Sequence, residues 1–480
     1  MIDLNKLTIK KARELIKNKE VSCQELVSAY LKKIEEKNKE INAYLEVFDD
    51  AIKQAQELDE KIKNGEDVGE LAGIPLAIKD NILIKGRLCS SASRILENYH
   101  ATYDATAIKK LKRAGAIFLG RTNMDEFAMG ASTENSAFGP TKNPYDLERV
   151  PGGSSGGSIA SVASGMAMAG LGSDTGGSLR QPASFCGVVG LSPTYGAVSR
   201  YGLMAMASSF DQIGPTTKTV EDAEILFNVI KGQDKMDSTS VDYVKHSVSN
   251  ISANNHKMKI GVLKYDRAGV DEEVNKALDD SVEVFRKLGH EIVEVDPPHI
   301  KYSVPCYYIL VPAEVSSNMA RFDGVRYGLS VGGKNLIDDY METRTKGFGN
   351  EVRRRIMLGT YVLSAGYYDA YYNKAQKVRA LIKKDFQKIF EQGVSIILSP
   401  TSPTPAFKIG EKSNNPLQMY LEDIFTAPAK IAGVPAISIP AGKSKSGLPI
   451  GIHMMASWFE EDTLFYLGKQ YENATASTLA

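Results

Sequence analysis

Residues 152–214 constrain the fold more strongly than any other part of the sequence. They contain 14 of the chain's 41 glycines, 14 serines or threonines, and only four charged residues. A stretch so poor in charge and so rich in small side chains is expected to be buried and closely packed. Its glycines also leave backbone N–H groups open to close approach, as tight turns and anion-binding loops both require.

The rest of the chain alternates between helical and strand-like patterns. A capping box formed by Ser22 and Glu25 predicts the start of a helix. Further helices are predicted at residues 51–63, 106–114, 158–169 and 271–288, with a mostly helical, tyrosine-rich segment at 351–390. Apolar runs predict strands at residues 74–84, 116–120, 260–263, 291–295, 396–398, 436–439 and 450–454. This alternation predicts an α/β fold, a large and continuous α/β/α sandwich.

The sequence shows no repeat period, and we expect one domain over residues 1–480. Its core is expected at residues 70–215, around the glycine-rich stretch. Residues 233–257 are polar with few apolar anchors, which is typical of an exposed connection, with room for one helical turn.

Composition narrows the function classes. Lys plus Arg and Asp plus Glu both number 58, so a net charge of zero argues against a protein that binds nucleic acid through its overall field. Four cysteines without C-x-x-C spacing favour a reducing, cytoplasmic location over a disulfide framework or a zinc ribbon. No signal peptide or membrane span is predicted.

Lys79 lies in an apolar run that predicts a central strand covered on both sides. A buried ammonium either finds partners or loses its proton, and a neutral lysine amine is a general base. Two structural alternatives are open. Lys79 lies at a strand edge with its amine in water, or it pairs with Asp80.

Ser154, Ser155 and Ser178 follow glycines within the charge-poor stretch. Each could cap a helix, which is the commoner role of such a serine. Ser178 could instead be a nucleophile, because the turn formed by Thr175, Gly176 and Gly177 can direct backbone N–H groups at an oxyanion.

Two segments together match a known pattern. Residues 152–158 (Gly-Gly-Ser-Ser-Gly-Gly-Ser) and residues 170–183, with Asp174, Gly176, Gly177, Ser178 and Arg180, resemble the signature of the amidase signature family. Residues 73–82 around Lys79 resemble the family's lysine strand. The resemblance implies a mixed central β-sheet with helices on both faces.

The resemblance also implies a Ser–cis-Ser–Lys triad. Ser178 would be the nucleophile, Ser154 the bridging serine and Lys79 the base. The cis peptide would lie at Gly177–Ser178 or within residues 153–155.

Residues 123–130 and 132–144, together with 354–360, 366–372 and Asp423, resemble one branch of that family, the A subunits of glutamyl-tRNA(Gln) amidotransferases. Tyr145 departs from the tryptophan that many relatives carry. The resemblance implies a glutaminase that supplies ammonia to a partner B subunit, with a small C subunit bracing the pair. ATP with Mg would be used by the B subunit, which would also make most tRNA contacts, and this chain would bind no cofactor or metal.

Glutamine needs a cation for its α-carboxylate and an anion for its α-ammonium. Arg355 is the better candidate for the carboxylate and Arg354 the adjacent alternative, because arginine forms bidentate pairs. Asp423 would receive the ammonium, and Met129 and Gly130 resemble pocket residues. Alternatively, residues 353–355 form a solvated helix face or bind phosphate.

Three rival functions are open. A stand-alone amidase would act on another small amide with the same triad. An α/β-hydrolase would use the Gly-x-Ser-x-Gly pattern around Ser154 with His453 as its base. A nucleotide-binding protein would use the glycines to hold phosphate, although no complete P-loop pattern occurs.

Overall fold

A computed structural model describes residues 3–246 and 257–479 of the chain. Its centre is an eleven-stranded mixed β-sheet in the order β1-β3-β2-β4-β6-β5-β10-β11-β9-β7-β8. Parallel pairs join β2 to β3 and β4, and β7 to β8 and β9, while the other neighbours are antiparallel. The strands are β1 Tyr44–Val47, β2 Pro75–Lys79, β3 Ile117–Thr122, β4 Ala169–Asp174, β5 Val189–Ser192, β6 Gln212–Thr217, β7 Lys259–Leu263, β8 Glu291–Val295, β9 Val394–Pro400, β10 Ala436–Lys443 and β11 Pro449–Ala456.

Helices flank this sheet, which confirms the predicted α/β/α architecture. They are α1 Ile9–Lys17, α2 Cys23–Ile41, α3 Ala51–Lys63, α4 Thr106–Arg113, α5 Gly156–Ala163, α6 Arg180–Cys186, α7 Val220–Ile230, α8 Tyr243–His246, α9 Glu272–Lys287, α10 Ser303–Asn318, α11 Leu336–Gly347, α12 Asn350–Leu363, α13 Lys374–Glu391, α14 Pro416–Tyr420, α15 Ala427–Ala432 and α16 Glu461–Leu479. The capping box at Ser22 is present, with the Ser22 and Glu25 side chains bonded to each other's backbone N–H.

Two large apolar clusters fill the space between the layers. One joins β1–β6 to the helices α2, α3, α4, α5, α7 and α16. The other joins α10, α12, α13 and α15 to residues 124–129 and to the sheet strands β9 and β11. The second cluster attaches a layer of helices to the sheet on the side where the candidate site lies.

Two predicted elements run five or more residues past the ends of the observed ones, and the strands predicted at 396–398 and 436–439 are shorter than the observed β9 and β10. The predicted strand at 74–84 ends at Lys79, because Asp80 N still bonds Thr122 O but Ile82 N turns back to Lys79 O. The predicted helix at 158–169 begins at Gly156 and ends at Ala163, because Gly165 adopts a φ of 74° and Ala169 already belongs to β4.

The predicted connection at 233–257 is only partly exposed. Asp237 is buried and forms an ion pair with Arg200 at 2.8 Å, and Tyr243, in the predicted helical turn, is also buried. Residues 247–256 lie outside the described residues. The assignment of residues 1–480 to one domain stays a prediction.

Candidate functional site

Lys79 is the last residue of β2, at the carboxyl end of the parallel strands β2, β3 and β4. Ligand and reaction sites of α/β sheets typically lie at that end. The side chain of Lys79 is 0% exposed, so its amine does not reach water. Asp80 pairs with Arg121 at 3.0 Å instead. Both structural alternatives for Lys79, a solvent-exposed amine and a pair with Asp80, are therefore wrong.

Neutral oxygen atoms surround the Lys79 amine. Nζ lies 2.8 Å from Ser154 Oγ, 2.8 Å from Ser155 Oγ, 2.9 Å from Ser173 Oγ and 3.3 Å from Ser173 O. No carboxylate lies within 4.0 Å of this nitrogen among the described residues. Burial without a direct counter-ion lowers the pKa of Lys79 to about 7, although Asp125, Asp174 and Asp211 oppose the shift from a distance.

The hydrogen bonds distinguish the serines around Lys79. Ser155 Oγ donates its proton to Ser173 O at 3.0 Å, and Ser173 Oγ accepts from Asn81 Nδ2 at 2.9 Å. A neutral amine can donate two hydrogen bonds and accept one. Lys79 can thus donate to Ser155 and Ser173 while its lone pair receives the Ser154 proton. Ser155 stands as close as Ser154, but its proton is already engaged.

The loop that carries Ser154 is held by residues 125–135. The peptide between Gly153 and Ser154 is cis, which locates the expected cis bond. Asp125 N donates to Ser154 O at 3.2 Å, and the Asp125 carboxylate accepts from the N–H groups of Thr133 at 2.9 Å and Asn135 at 3.1 Å. A Cβ on Gly153 would lie 2.1 Å from Asp125 Oδ2, so only glycine fits there.

Ser154, Ser155 and Ser178 do not cap helices through their side chains. Ser155 is the N-cap residue of α5 and Leu179 that of α6, and neither forms a side-chain capping bond. Ser178 is 7% exposed, and its carbonyl accepts from Ser155 N at 3.1 Å, which joins the two serine loops. Among the described residues, no hydrogen bond joins Ser154 Oγ to Ser178 Oγ.

The turn from Thr175 to Ser178 is an N–H-rich loop. Within the described part of the chain, no acceptor bonds the backbone N–H groups of these four residues. A Cβ on Gly176 would lie 2.7 Å from the Tyr307 ring, and one on Gly177 would lie 2.2 Å from Thr426 Oγ1. The two glycines therefore let neighbouring side chains pack directly against the loop.

A buried ion pair fixes the two ends of this loop. Asp174 accepts from Arg180 Nη2 at 2.9 Å and Nε at 3.0 Å, and Arg180 also donates to Gly176 O at 3.2 Å. Burial would raise the pKa of Asp174, but the Arg180 guanidinium lowers it to about 2. His453 Nε2 lies 2.9 Å from Arg180 Nη1 and its Nδ1 lies 3.4 Å from Ser399 Oγ, so this histidine supports the arginine and contacts neither Ser154 nor Ser178.

A second buried charge lies in the helical layer. Arg355, on α12, is 3% exposed, and its Nε donates to Glu351 Oε1 at 2.8 Å. Its guanidinium faces the rings of Tyr308 and Tyr420 at 5.3 and 5.6 Å. Burial opposes the charge, but Glu351 raises the pKa of Arg355 well above its usual value. No acceptor contacts its two Nη atoms among the residues described.

Asp423 is buried beside these rings. Tyr308 OH donates to Asp423 Oδ2 at 2.8 Å, and the Tyr308 and Tyr420 rings stack with centroids 3.8 Å apart. Burial raises the pKa of Asp423 to about 6, against the opposing effects of Tyr308 and Arg355. Arg355 and Asp423, which carry opposite charges, therefore both lie beside the same pair of stacked tyrosines.

Gly130, Tyr308, Arg355 and Tyr420 line a small cavity of 80 Å³. Met129 belongs instead to the apolar cluster under the helical layer, and its carbonyl accepts from Asn135 Nδ2 at 3.0 Å. The structure thus brings Gly130 and Arg355 together but turns Met129 inward.

The three adjacent arginines of α12 have different environments. Arg353 is exposed, the Arg354 side chain is 40% exposed and pairs with Glu351, and Arg355 is buried. A uniformly solvated helix face, one of the alternatives for residues 353–355, is therefore wrong.

Comparisons with known proteins agree with this geometry. The profile of the family described as Amidase matches residues 25–465. The chain belongs to the amidase family. It is 54% identical over 478 residues to the A subunit of the glutamyl-tRNA(Gln) amidotransferase of Carboxydothermus hydrogenoformans, covering 99% of this chain and 98% of that protein.

Two further matches carry the same name. The A subunit from Thermoanaerobacter pseudethanolicus is 53% identical, covering 98% of this chain and 97% of its own. The crystal structure of the A subunit of the Thermotoga maritima glutamyl-tRNA(Gln) amidotransferase superposes with a TM-score of 0.80 at 45% identity, covering 98% of this chain and 96% of that chain. The predicted family and its branch are confirmed.

Several residues of this amidase site were missed by reasoning from the sequence. Glu351 carried a usable signal, because it lies four residues before Arg355, the spacing of a helical ion pair. Ser155 was considered only as a helix cap. Tyr308, Tyr420 and Ser173 carried no signal, since only the tertiary fold brings them to Arg355 and Lys79.

Other features of the amidase can be stated for the described residues. No group of three or more His, Cys, Asp or Glu side chains there is arranged to hold a metal ion. All four cysteines are buried and free. None of the helices described is long and apolar enough to cross a membrane.

Proposed function

We propose that this amidase is the glutamine-hydrolysing component of a tRNA-dependent amidotransferase. The observation that carries the proposal is the buried contact of 2.8 Å between Lys79 Nζ and Ser154 Oγ, one loop away from Ser178. Relatives at more than 50% identity over almost the whole chain are named as the A subunit of that enzyme. Glutamine is hydrolysed here, and its ammonia converts Glu-tRNA(Gln) to Gln-tRNA(Gln) elsewhere in the complex.

Activation of Ser178 begins at Lys79. The neutral amine takes the Ser154 proton, and Ser154 Oγ takes the proton of Ser178. Rotation of the Ser178 side chain brings its hydroxyl to Ser154, since such contacts often tighten only when substrate is bound. The Ser178 oxygen then attacks the side-chain carbonyl carbon of glutamine, and the carbonyl electron pair moves onto oxygen.

The free N–H groups of residues 175–178 receive that negative oxygen. Lys79 returns the proton through Ser154 to the amide nitrogen, the C–N bond breaks, and ammonia leaves. A glutamyl ester on Ser178 remains. Water attacks this ester with the same base, which releases glutamate and restores the Ser178 hydroxyl.

Arg355 and Asp423, the charged residues beside the stacked tyrosines, select the substrate. The free Nη atoms of Arg355 are suited to the α-carboxylate as a bidentate pair. Asp423 is suited to the α-ammonium. Arg354 also lines the cavity, but it is the weaker candidate for the carboxylate, because its side chain is half-exposed whereas Arg355 is buried. Gly130 leaves room beside Arg355, and we assign Met129 only a backbone role.

The rest of the reaction belongs to partner subunits. A B subunit would use ATP with Mg to activate glutamate on the mischarged tRNA and would make most tRNA contacts, and a C subunit would brace the pair in a heterotrimer. The zero net charge of this chain supports that division, because a tRNA-binding surface is expected to be basic. Such an enzyme works in the cytoplasm.

Assays of the isolated chain and of the assembled complex test the proposal. We expect preferential glutamine hydrolysis, stimulated by the partner subunits, and ammonia transfer to Glu-tRNA(Gln). High activity on other small amides without partners, and no preference for glutamine, would favour the stand-alone amidase.

His453 tests the hydrolase rival. The ring supports Arg180 and its pKa is lowered well below the usual value, first by burial and then by Arg180. Replacing His453 with Ala should leave most glutaminase activity, whereas an inactive variant that remains folded would favour a Ser–His mechanism. Failure of glutamine or an electrophilic analogue to acylate Ser178 would instead favour the nucleotide-binding rival.

A further inference from the structure

Glu126 is a buried carboxylate outside the proposed catalytic and substrate-binding residues. It follows Asp125, is 2% exposed, and lies in the apolar layer that contains Phe127, Phe348 and Val352. Among the described residues, no Lys, Arg or His nitrogen lies within 4.0 Å of its oxygens. An unpaired buried carboxylate is costly, and an apolar side chain would be cheaper there.

Two hydrogen bonds hold the Glu126 carboxylate, one from each side. Ser93 Oγ donates to Oε1, and Gly349 N donates to Oε2 at 2.8 Å. A Cβ on Gly349 would lie 2.4 Å from Oε2, so the glycine leaves the space that this contact needs.

Ser93 belongs to a loop that is hydrogen-bonded to the end of β2, the strand that carries Lys79. Asp80, directly after Lys79, accepts from Ser90 N at 3.1 Å and from Ala92 N at 2.9 Å. Phe127 N donates to Ser91 O at 2.9 Å, which ties the Glu126 segment to the same loop. Glu126 is therefore fixed to the end of β2 through a short chain of hydrogen bonds.

Gly349 connects Glu126 to Arg355, because it precedes the helix α12 on which Arg355 lies. Gly349 is the N-cap residue of α12 and has no side chain to cap it, so the Glu126 carboxylate serves the first N–H of that end from outside the helix. Arg355 follows six positions later on the same rigid helix. Phe127 and Phe348 pack with ring centroids 5.8 Å apart, which keeps the two segments together.

We infer that Glu126 is a positioning residue that sets the start of α12, and with it Arg355, at a fixed place relative to the Lys79–Ser154 pair. This inference rests on the proposed function, because it assigns to Glu126 the alignment of glutamine's α-carboxylate with the nucleophile.

The test measures glutamine hydrolysis by Glu126→Gln in the assembled complex. The amide removes the charge and leaves one acceptor oxygen for two donors. If that oxygen keeps the bond from Gly349 N, Ser93 Oγ must turn its proton to Gly347 O, 3.2 Å away, and accept from the amide. We expect this rearrangement to raise KM for glutamine up to about tenfold and to change kcat less than about threefold.

Glu461→Gln is the matched control. Glu461 is also buried and accepts from Thr194 N at 2.8 Å and Tyr243 OH at 2.8 Å. Neither partner belongs to the proposed site, so the Glu461→Gln variant should keep the wild-type KM for glutamine.

A double-mutant cycle with Arg355→Met distinguishes a positioning role of Glu126 from a general disturbance of the folded protein. If Glu126 acts through Arg355, Glu126→Gln should lower kcat/KM less than about twofold once Arg355 is absent. An equal loss in both backgrounds, or an unchanged KM in the single variant, would overturn the inference.

Gly349→Ala gives a second variant that does not depend on how Glu126→Gln folds. Its added methyl meets Oε2 while the carboxylate stays in place, and we expect the same rise in KM. An unchanged KM would count against the inference. A wild-type complex that fails to hydrolyse glutamine would contradict the proposed function instead, so the two failures are distinguishable.

Discussion

Lys79 and Arg355 are both buried basic residues, and their surroundings differ. Lys79, at the end of β2, touches serine oxygens, and burial lowers its pKa to about 7. Arg355, on α12, touches the carboxylate of Glu351 and two tyrosine rings, and stays charged. Burial is common to both, but a guanidinium stays protonated whatever surrounds it, whereas a lysine amine loses its proton when no anion lies next to it. The two residues are therefore suited to different tasks, Lys79 to that of a base and Arg355 to that of an anion-binding group.

The two residues also occupy different layers. Lys79 belongs to the sheet, where the loops around it are closely packed. Arg355 belongs to the helical layer, which meets the sheet through an apolar cluster and the Glu126–Gly349 contact. Changes near Lys79 should therefore abolish the chemistry, and changes near Arg355 should mainly alter the affinity for substrate.

Lys79→Ala should give the largest effect. Removing the proposed base should lower glutamine turnover by about 10⁴-fold or more, with folding and partner binding retained. Lys218→Ala is the control, because that amine is partly buried with a pKa lowered to about 8, but it bonds the Leu4 and Leu7 carbonyls and no proposed catalytic group. Wild-type turnover in the Lys79 variant would refute the triad.

Arg355→Met should give the next largest effect. Loss of the proposed binding group for the α-carboxylate should lower kcat/KM for glutamine by about 100- to 1,000-fold, mostly through KM. Arg354→Met should change it less than about threefold, since that side chain is half-exposed. Steady-state kinetics of both variants decide between the two arginines, and a larger loss at Arg354 would reverse the assignment.

Gly177→Ala should act on kcat. The new Cβ would lie 2.2 Å from Thr426 Oγ1 and displace the N–H groups of the loop, with a loss of about 100-fold. Adding Thr426→Ala removes the 2.2 Å contact, although Thr426 Cβ would still lie 2.8 Å from the new methyl group, and should recover part of that loss. No recovery in the double variant would show that crowding by Thr426 is not the cause.

Lowering the pH should reduce kcat/KM gradually, with a smaller effect than the substitutions above. Lys79 must be neutral to act, so protonation below its pKa of about 7 should lower kcat/KM about tenfold for each further pH unit. Asp423, with a pKa of about 6, adds a second loss when its protonation removes the anion for the ammonium. A flat profile between about pH 5 and pH 8, under saturating partner subunits, would contradict a neutral lysine base.

The functional residues of the sheet layer could be predicted from the sequence more completely than those of the helical layer. Lys79, Ser154 and Ser178 lie in short motifs whose residue types already imply their chemistry, and the apolar run before Lys79 predicted its burial. The strand limit at Lys79 could not be predicted, because residues 82–84 are as apolar as a strand but turn away through hydrogen bonds to distant loops.

The helical layer was predicted less completely for a physical reason. Arg355 and Asp423 could be named from the resemblance, but Tyr308, Tyr420 and Glu126 have no local pattern that reveals their role. Their partners are distant in sequence, as in the Tyr308–Asp423 bond across 115 positions. Met129 illustrates the limit, since its side chain packs in the core while its neighbour Gly130 lines the cavity.

Direct titration of the Lys79 amine is the most decisive measurement. The ¹³Cε resonance of lysine-labelled protein, assigned by comparison with Lys79→Ala, reports the charge of this nitrogen as pH is varied. A midpoint near pH 7 is expected for an amine enclosed by serine hydroxyls. A midpoint near the ordinary lysine value of about 10.4 would show that Lys79 is charged at neutral pH and cannot be the base.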